Sequence, residues 1–150
     1  MTSSSRPRPA SPASAAVLGA VLALSGVLHL VVPRVYEPLI PRPLGSPRAW
    51  VLGSGAAELA CAAALVPART RHAGALASAA LLVAVFPGNV TMALRTRRGA
   101  PGLTARRVVA WGRLPLQVPL VGWALAVARG ARDATPAGAA MPGSATGAGR

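Results

Sequence analysis

Residues 13–32 read ASAAVLGAVLALSGVLHLVV. The stretch carries no formally charged residue and is apolar on every side. A helix of a water-soluble domain sets an apolar stripe against a polar face, and this one has no polar face to set. At 1.5 Å rise per residue the run covers about 30 Å, the thickness of the hydrocarbon core of a bilayer. It is longer than the apolar region of a secretory signal and no A-x-A site closes it, so it reads as a membrane span and not as a cleaved leader.

Three further blocks repeat the pattern at 49–66, 73–94 and 108–128, each interrupted by no more than one strong charge. Pro33 stops the first block, Pro47 precedes the second, and Pro67 with Arg69, Thr70 and Arg71 closes it. The link from Arg95 to Arg107 holds five arginines together with Gly99, Pro101 and Gly102. Trp50 and Trp111 begin the second and fourth blocks, where interfacial tryptophan is favoured. The sequence therefore predicts an all-α integral membrane four-helix bundle with antiparallel neighbours and disordered termini. Its parts are an N-terminal tail (1–12), a four-span domain (13–129) and a C-terminal tail (130–150).

The net charge of +13 and an isoelectric point near 12.0 would ordinarily suggest a nucleic-acid binder. The placement of the charge argues otherwise. All 16 basic residues are arginines, and apart from Arg113 they lie in the tails and links and do not line a helix face. Charge is tolerated at headgroups and costly in hydrocarbon. With 3% aromatic residues there is little to build a base-stacking platform, so nucleic acid is not an expected partner. Four spans put both termini on one side (A) and the 33–48 and 95–107 links on the other (B). Side A carries seven arginines (6, 8, 69, 71, 129, 132, 150) and side B eight (34, 42, 48, 95, 97, 98, 106, 107). That tally leaves the orientation open.

Two formal charges fall inside the spans, Glu58 and Arg113, each costing roughly 2.5–3.5 kcal/mol at a bilayer centre on insertion scales. Measured from side B, His29 lies about 5 Å deep, Asn89 and Arg113 about 8 Å, and Glu58 and Gln117 about 14 Å. One polar group from each helix thus falls in the same half of the bilayer. Arg113 and Gln117 share a helix face, as do Ser54 and Glu58, which stand among Gly53, Gly55 and Ala57. The expectation is a Glu58–Arg113 ion pair extended by His29, Asn89 and Gln117 into a polar pocket that opens to side B. The alternative is a packed lock between helices two and four. Pro87, Pro115 and Pro119 lie inside spans, where each removes a backbone donor.

Chemistry-bearing motifs are few. Cys61 is the single cysteine, which excludes an internal disulfide and a C-x-x-C redox pair. His29 stands alone, His72 falls in a short link, and the only aspartate, Asp133, falls in the expected tail. No metal-ligand spacing, P-loop or dinucleotide fingerprint is present. Neither a catalytic group nor a cofactor held by this chain alone is expected.

An ordered set of motifs is similar to the DoxX-like membrane proteins of bacteria. It comprises Gly26-Val27-Leu28-His29 with Pro33, Tyr36-Glu37 and Ile40-Pro41; Pro47-Arg48-Ala49-Trp50, Ser54-Gly55 and Ala57-Glu58-Leu59; Pro67 with Arg69-Thr70-Arg71; Phe86-Pro87-Gly88-Asn89-Val90 with Met92-Ala93; and Arg113-Leu114-Pro115-Leu116-Gln117. The resemblance covers residues 15–129. It implies a four-helix bundle of the bacterial cytoplasmic (inner) membrane, in a family linked to membrane oxidoreductase assemblies. The expected partners are the lipid bilayer and a membrane protein or redox complex. The expected function is that of a non-enzymatic accessory or assembly subunit. A carrier or binding pocket for a small lipophilic or weakly acidic molecule such as a quinone, and a redox subunit that borrows its cofactor from a partner, are the competing readings.

Overall fold

The computed structural model describes residues 11–97 and 104–134, and the chain there is helical with no strand among the described residues. Six α-helices follow one another: α1 (Pro12–Val31), α2 (Pro33–Tyr36), α3 (Pro47–Leu65), α4 (Ala68–Ala84), α5 (Phe86–Arg97) and α6 (Ala105–Asp133). Two 3₁₀ turns, Glu37–Leu39 and Arg42–Leu44, lie between α2 and α3.

Helix starts are written locally. Ser11, Ser46 and Thr104 each accept a bond from the backbone N–H three residues on, and Pro12 and Pro47 follow two of these caps, where a missing N–H costs nothing. Pro33 does end α1, but it also opens α2 directly after Val32 and turns the chain across the end of the fold. The expected third span, 73–94, is two helices. α4 ends at Ala84 with Val85 as its cap, and α5 restarts at Phe86 with Pro87 in its first turn, where proline is tolerated. Pro115 and Pro119, by contrast, sit within an unbroken α6.

The polar run Arg69–His72 is not a loop. α4 begins at Ala68, so only Val66 and Pro67 separate it from α3. Thr70 Oγ1 donates to the Ala64 carbonyl (2.8 Å), and Arg71 donates from Nε to Leu65 O (3.0 Å) and from Nη2 to Val66 O (2.8 Å). These side chains satisfy carbonyls that the end of α3 leaves open. α6 likewise runs to Asp133, past the expected limit at 128, so residues 130–133 are helical. At the other end Ser11 caps α1 and Pro12 begins it, so these two residues of the expected N-terminal tail belong to the helix; residues 1–10 and 135–150 lie outside the described residues.

α1 lies along α3, α3 along α4, α4 along α6, and α5 along α6. The core is made largely of small side chains at the end of the fold where α1 begins and α6 finishes. Ala15, Leu18 and Leu22 of α1 meet Cys61, Ala62 and Leu65 of α3, Ala75 and Ala79 of α4, and Ala124, Val127 and Ala128 of α6. Cys61 is a buried free thiol in that core. Two long-range bonds tie the ends: His72 Nδ1 with Ala128 O (2.8 Å), and Trp123 Nε1 donating to Ser14 Oγ (2.7 Å). Three helical stretches are long and apolar enough to cross a membrane by length and composition, Pro12–Val31, Ala68–Thr96 and Arg107–Asp133. α3, with Arg48, Ser54 and Glu58, is not among them.

Candidate functional site

The half of the fold opposite the alanine-rich core holds the polar residues, and the local fold explains how they are brought together. α1 and α3 cross at Gly26 and Gly55. A Cβ on Gly26 would stand 2.7 Å from the Gly55 carbonyl oxygen, and one on Gly55 would stand 2.8 Å from His29 Cβ. Only glycine permits this approach, and the residues beside the crossing are drawn together by it. His29 Nδ1 lies 3.3 Å from Glu58 Oε2 and 2.8 Å from the Ser25 carbonyl one turn back. A carbonyl can only accept, so the Nδ1 proton points to Ser25. Glu58 is 7% exposed, and its Oε2 has no hydrogen-bond donor among the described residues. The ring of Tyr36, carried by α2, stacks on His29 with centroids 4.1 Å apart and planes 22° from parallel.

The expected Glu58–Arg113 ion pair is not formed. Among the described residues the ion pairs within 4 Å are His29–Glu58 and Arg48–Glu37, the latter at 3.7 Å. The reason is which face each helix presents. Glu58 is turned to α1, its Cβ beside Gly26, whereas α6 lies against α4 and α5. Arg113 is half-buried and stands within electrostatic range of the His29 ring. Ser54 shares the face of Glu58 in sequence, but its hydroxyl donates to Val51 O of its own helix (3.0 Å).

A second polar knot forms across the break between α4 and α5. The break leaves the Leu82 carbonyl without its usual partner four residues on, and Gln117 Nε2 of α6 donates to it. Gln117 Oε1 in turn accepts from Asn89 Nδ2 at 3.1 Å. Gln117 is buried with both ends of its amide engaged, so it joins α4, α5 and α6 at one point. The six residues singled out in the sequence therefore fall into a His29–Glu58 pair, an Asn89–Gln117 pair, Arg113 near the first, and Ser54 bonded within its own helix. Tyr36 and the Leu82 carbonyl complete the two knots. Neither is visible as polar spacing, because one sits in a short link helix and the other is backbone.

Among the described residues no group of three His, Cys, Asp or Glu stands close enough to share a metal ion. An open groove runs along α1 and α3 from Pro12 to Ala23, and Glu58 does not line it.

A family profile described as a domain of unknown function, DUF8561, matches residues 18–128, which is most of the chain. The chain belongs to the DUF8561 family. The DUF8561 region runs from the second turn of α1 to the last core residue of α6 and takes in both polar knots and the glycine crossing. No curated protein and no solved structure matches the chain.

Proposed function

We propose that this DUF8561 protein is a multi-pass protein of the bacterial cytoplasmic membrane. α1, α3, α4 with α5, and α6 make four crossings in a bundle like that of the DoxX-like proteins, and the chain serves as a non-enzymatic accessory or assembly subunit of a membrane complex. The supporting observation is the outward surface. In the three apolar stretches only 22%, 22% and 28% of the span is buried within the chain, and Val118, Val66, Val31 and Leu24 are 76%, 73%, 70% and 64% exposed. Apolar surface on that scale belongs against lipid tails or a partner helix. α3 is the least apolar of the four, but α1 and α4 flank it, and its carboxylate faces α1. Close packing around Glu58 and Gln117 fits polar groups that hold helices together. Affinity isolation in mild detergent, with identification of proteins and lipophilic small molecules, tests this reading. Stoichiometric recovery of a membrane partner supports it, and recovery of the chain alone with a bound metabolite overturns it.

A second reading, a binding pocket for a small lipophilic or weakly acidic molecule such as a quinone, is favoured by one observation. Glu58 Oε2 is buried without a donor, and a ligand hydroxyl would supply one. A small molecule that copurifies with the parent and is lost in Glu58→Gln supports this reading.

A further inference from the structure

The outward side of the α1–α3 seam carries an open groove of about 450 Å³ in the half of the fold away from Glu58. Ala16, Ala20 and Ala23 of α1 and Leu59 and Ala63 of α3 line it, and Ala16, Ala20 and Ala63 are exposed along it. Along α1 the groove extends from Pro12 to Ala23, about 17 Å at 1.5 Å per residue. That is roughly half of the ~30 Å hydrocarbon thickness, the depth of one leaflet. The volume lies within the usual range of small-molecule sites.

One charged residue lines this apolar trough, and it stands at the outer end. Arg71 is held there by its bonds to the Leu65 and Val66 carbonyls. Those bonds use two of the five guanidinium N–H groups and leave the positive charge in place. A planar guanidinium fixed in position at headgroup level is suited to a phosphodiester. A symmetric second copy seated on the groove would instead bring two Arg71 side chains together at one depth, which like-charge repulsion opposes.

We propose that the groove is a binding site for one anionic glycerophospholipid of the side-A leaflet, with an acyl chain lying along α1 and α3 and the headgroup phosphate paired with Arg71. The assignment rests on the membrane reading above and goes beyond it. A chain that stays dissolved once detergent is removed overturns that reading on its own, before any lipid is added.

The test uses the full chain, purified and delipidated in mild detergent, with its thermal unfolding midpoint followed on addition of phosphatidylglycerol, phosphatidylcholine or inorganic phosphate. Phosphatidylglycerol is expected to raise the midpoint by on the order of 5 °C at saturation, phosphatidylcholine by clearly less, and inorganic phosphate not at all. Ala20→Phe fills the trough from its open side while leaving the Arg71 bonds intact, and it abolishes the shift; Ala16→Leu does the same should Ala20→Phe fail to fold. Arg71→Gln removes the preference for phosphatidylglycerol over phosphatidylcholine. Equal responses to the two lipids in the parent, an undiminished response in the filled variants, a full shift from phosphate alone, or a dimer that Ala20→Phe dissociates would each overturn the proposal.

Discussion

Gly26 and Gly55 meet backbone against backbone, with room for no side chain between them: a Cβ on Gly26 would stand 2.7 Å from Gly55 O, and a Cβ on Gly55 would stand 3.0 Å from Gly26 O. The crossing sets the spacing of α1 and α3, and through it the reach of His29 to Glu58. Gly26→Ala or Gly55→Ala must push rigid backbone apart and is expected to cost about 1–3 kcal/mol. Gly53, two residues before Gly55 and with nothing within 4 Å of an added Cβ, is the control, and Gly53→Ala is expected to be neutral or slightly stabilising. Unfolding of the three variants in detergent compares them directly.

The polar contacts make a pairing prediction. His29 and Glu58 are in contact, and Glu58 and Arg113 are not. A double-mutant cycle of His29→Ala with Glu58→Gln is expected to give a coupling of about 0.5–3 kcal/mol. The cycle of Glu58→Gln with Arg113→Gln is expected to give a smaller one. A larger coupling in the second cycle would show that Glu58 faces α6.

Gln117 of α6 bonds to both α4 and α5. Replacing it with leucine strands the half-buried Leu82 carbonyl and Asn89 amide, at up to about 1–3 kcal/mol for each group left without a partner. Asn89→Ala strands only one end and is expected to cost less. Unfolding midpoints of the two variants set that order, and a Gln117→Leu protein as stable as the parent would contradict it.

Trp123 and Ser14 tie α6 to the start of α1 through one indole N–H bond. Trp123→Phe keeps an aromatic side chain but removes the donor and one ring of the indole, at about 1 kcal/mol for the bond and more for the lost packing. Ser14→Ala is expected to lose about as much as the bond, and the double variant no more than Trp123→Phe alone. Additive losses would mean that the bond is absent.

Residues with no choice of environment were legible in the sequence. A run such as 13–32, apolar all round, has one plausible state, and α1, α3 and α6 start or end within a few residues of the predicted limits. Two kinds of feature were not legible. Arg69 to His72 reads as a loop by polarity, yet Thr70 and Arg71 turn back onto the carbonyls at the end of α3, so the helix starts at once. The Phe86-Pro87-Gly88 run signals a break, but whether it kinks a helix or ends one depends on a neighbour able to take up the Leu82 carbonyl, and Gln117 is 35 residues away. The partner of Glu58 fails for a related reason. Depth arithmetic places His29, Arg113 and Gln117 in the same half of the bilayer as Glu58, but the choice among them depends on which face of α3 meets α1, and that is fixed by the Gly26–Gly55 contact.

In the proposed topology α3 crosses the bilayer between α1 and α4, which makes four crossings. This topology is tested most directly by single cysteines placed in a Cys61→Ala background at Ser4, Leu44, Ala68, Gly99 and Gly138, and probed with a membrane-impermeant maleimide on sealed vesicles of known sidedness. Positions 44 and 99 are expected to react from one face and 4, 68 and 138 from the other. Reaction of 44 and 68 from the same face would contradict it.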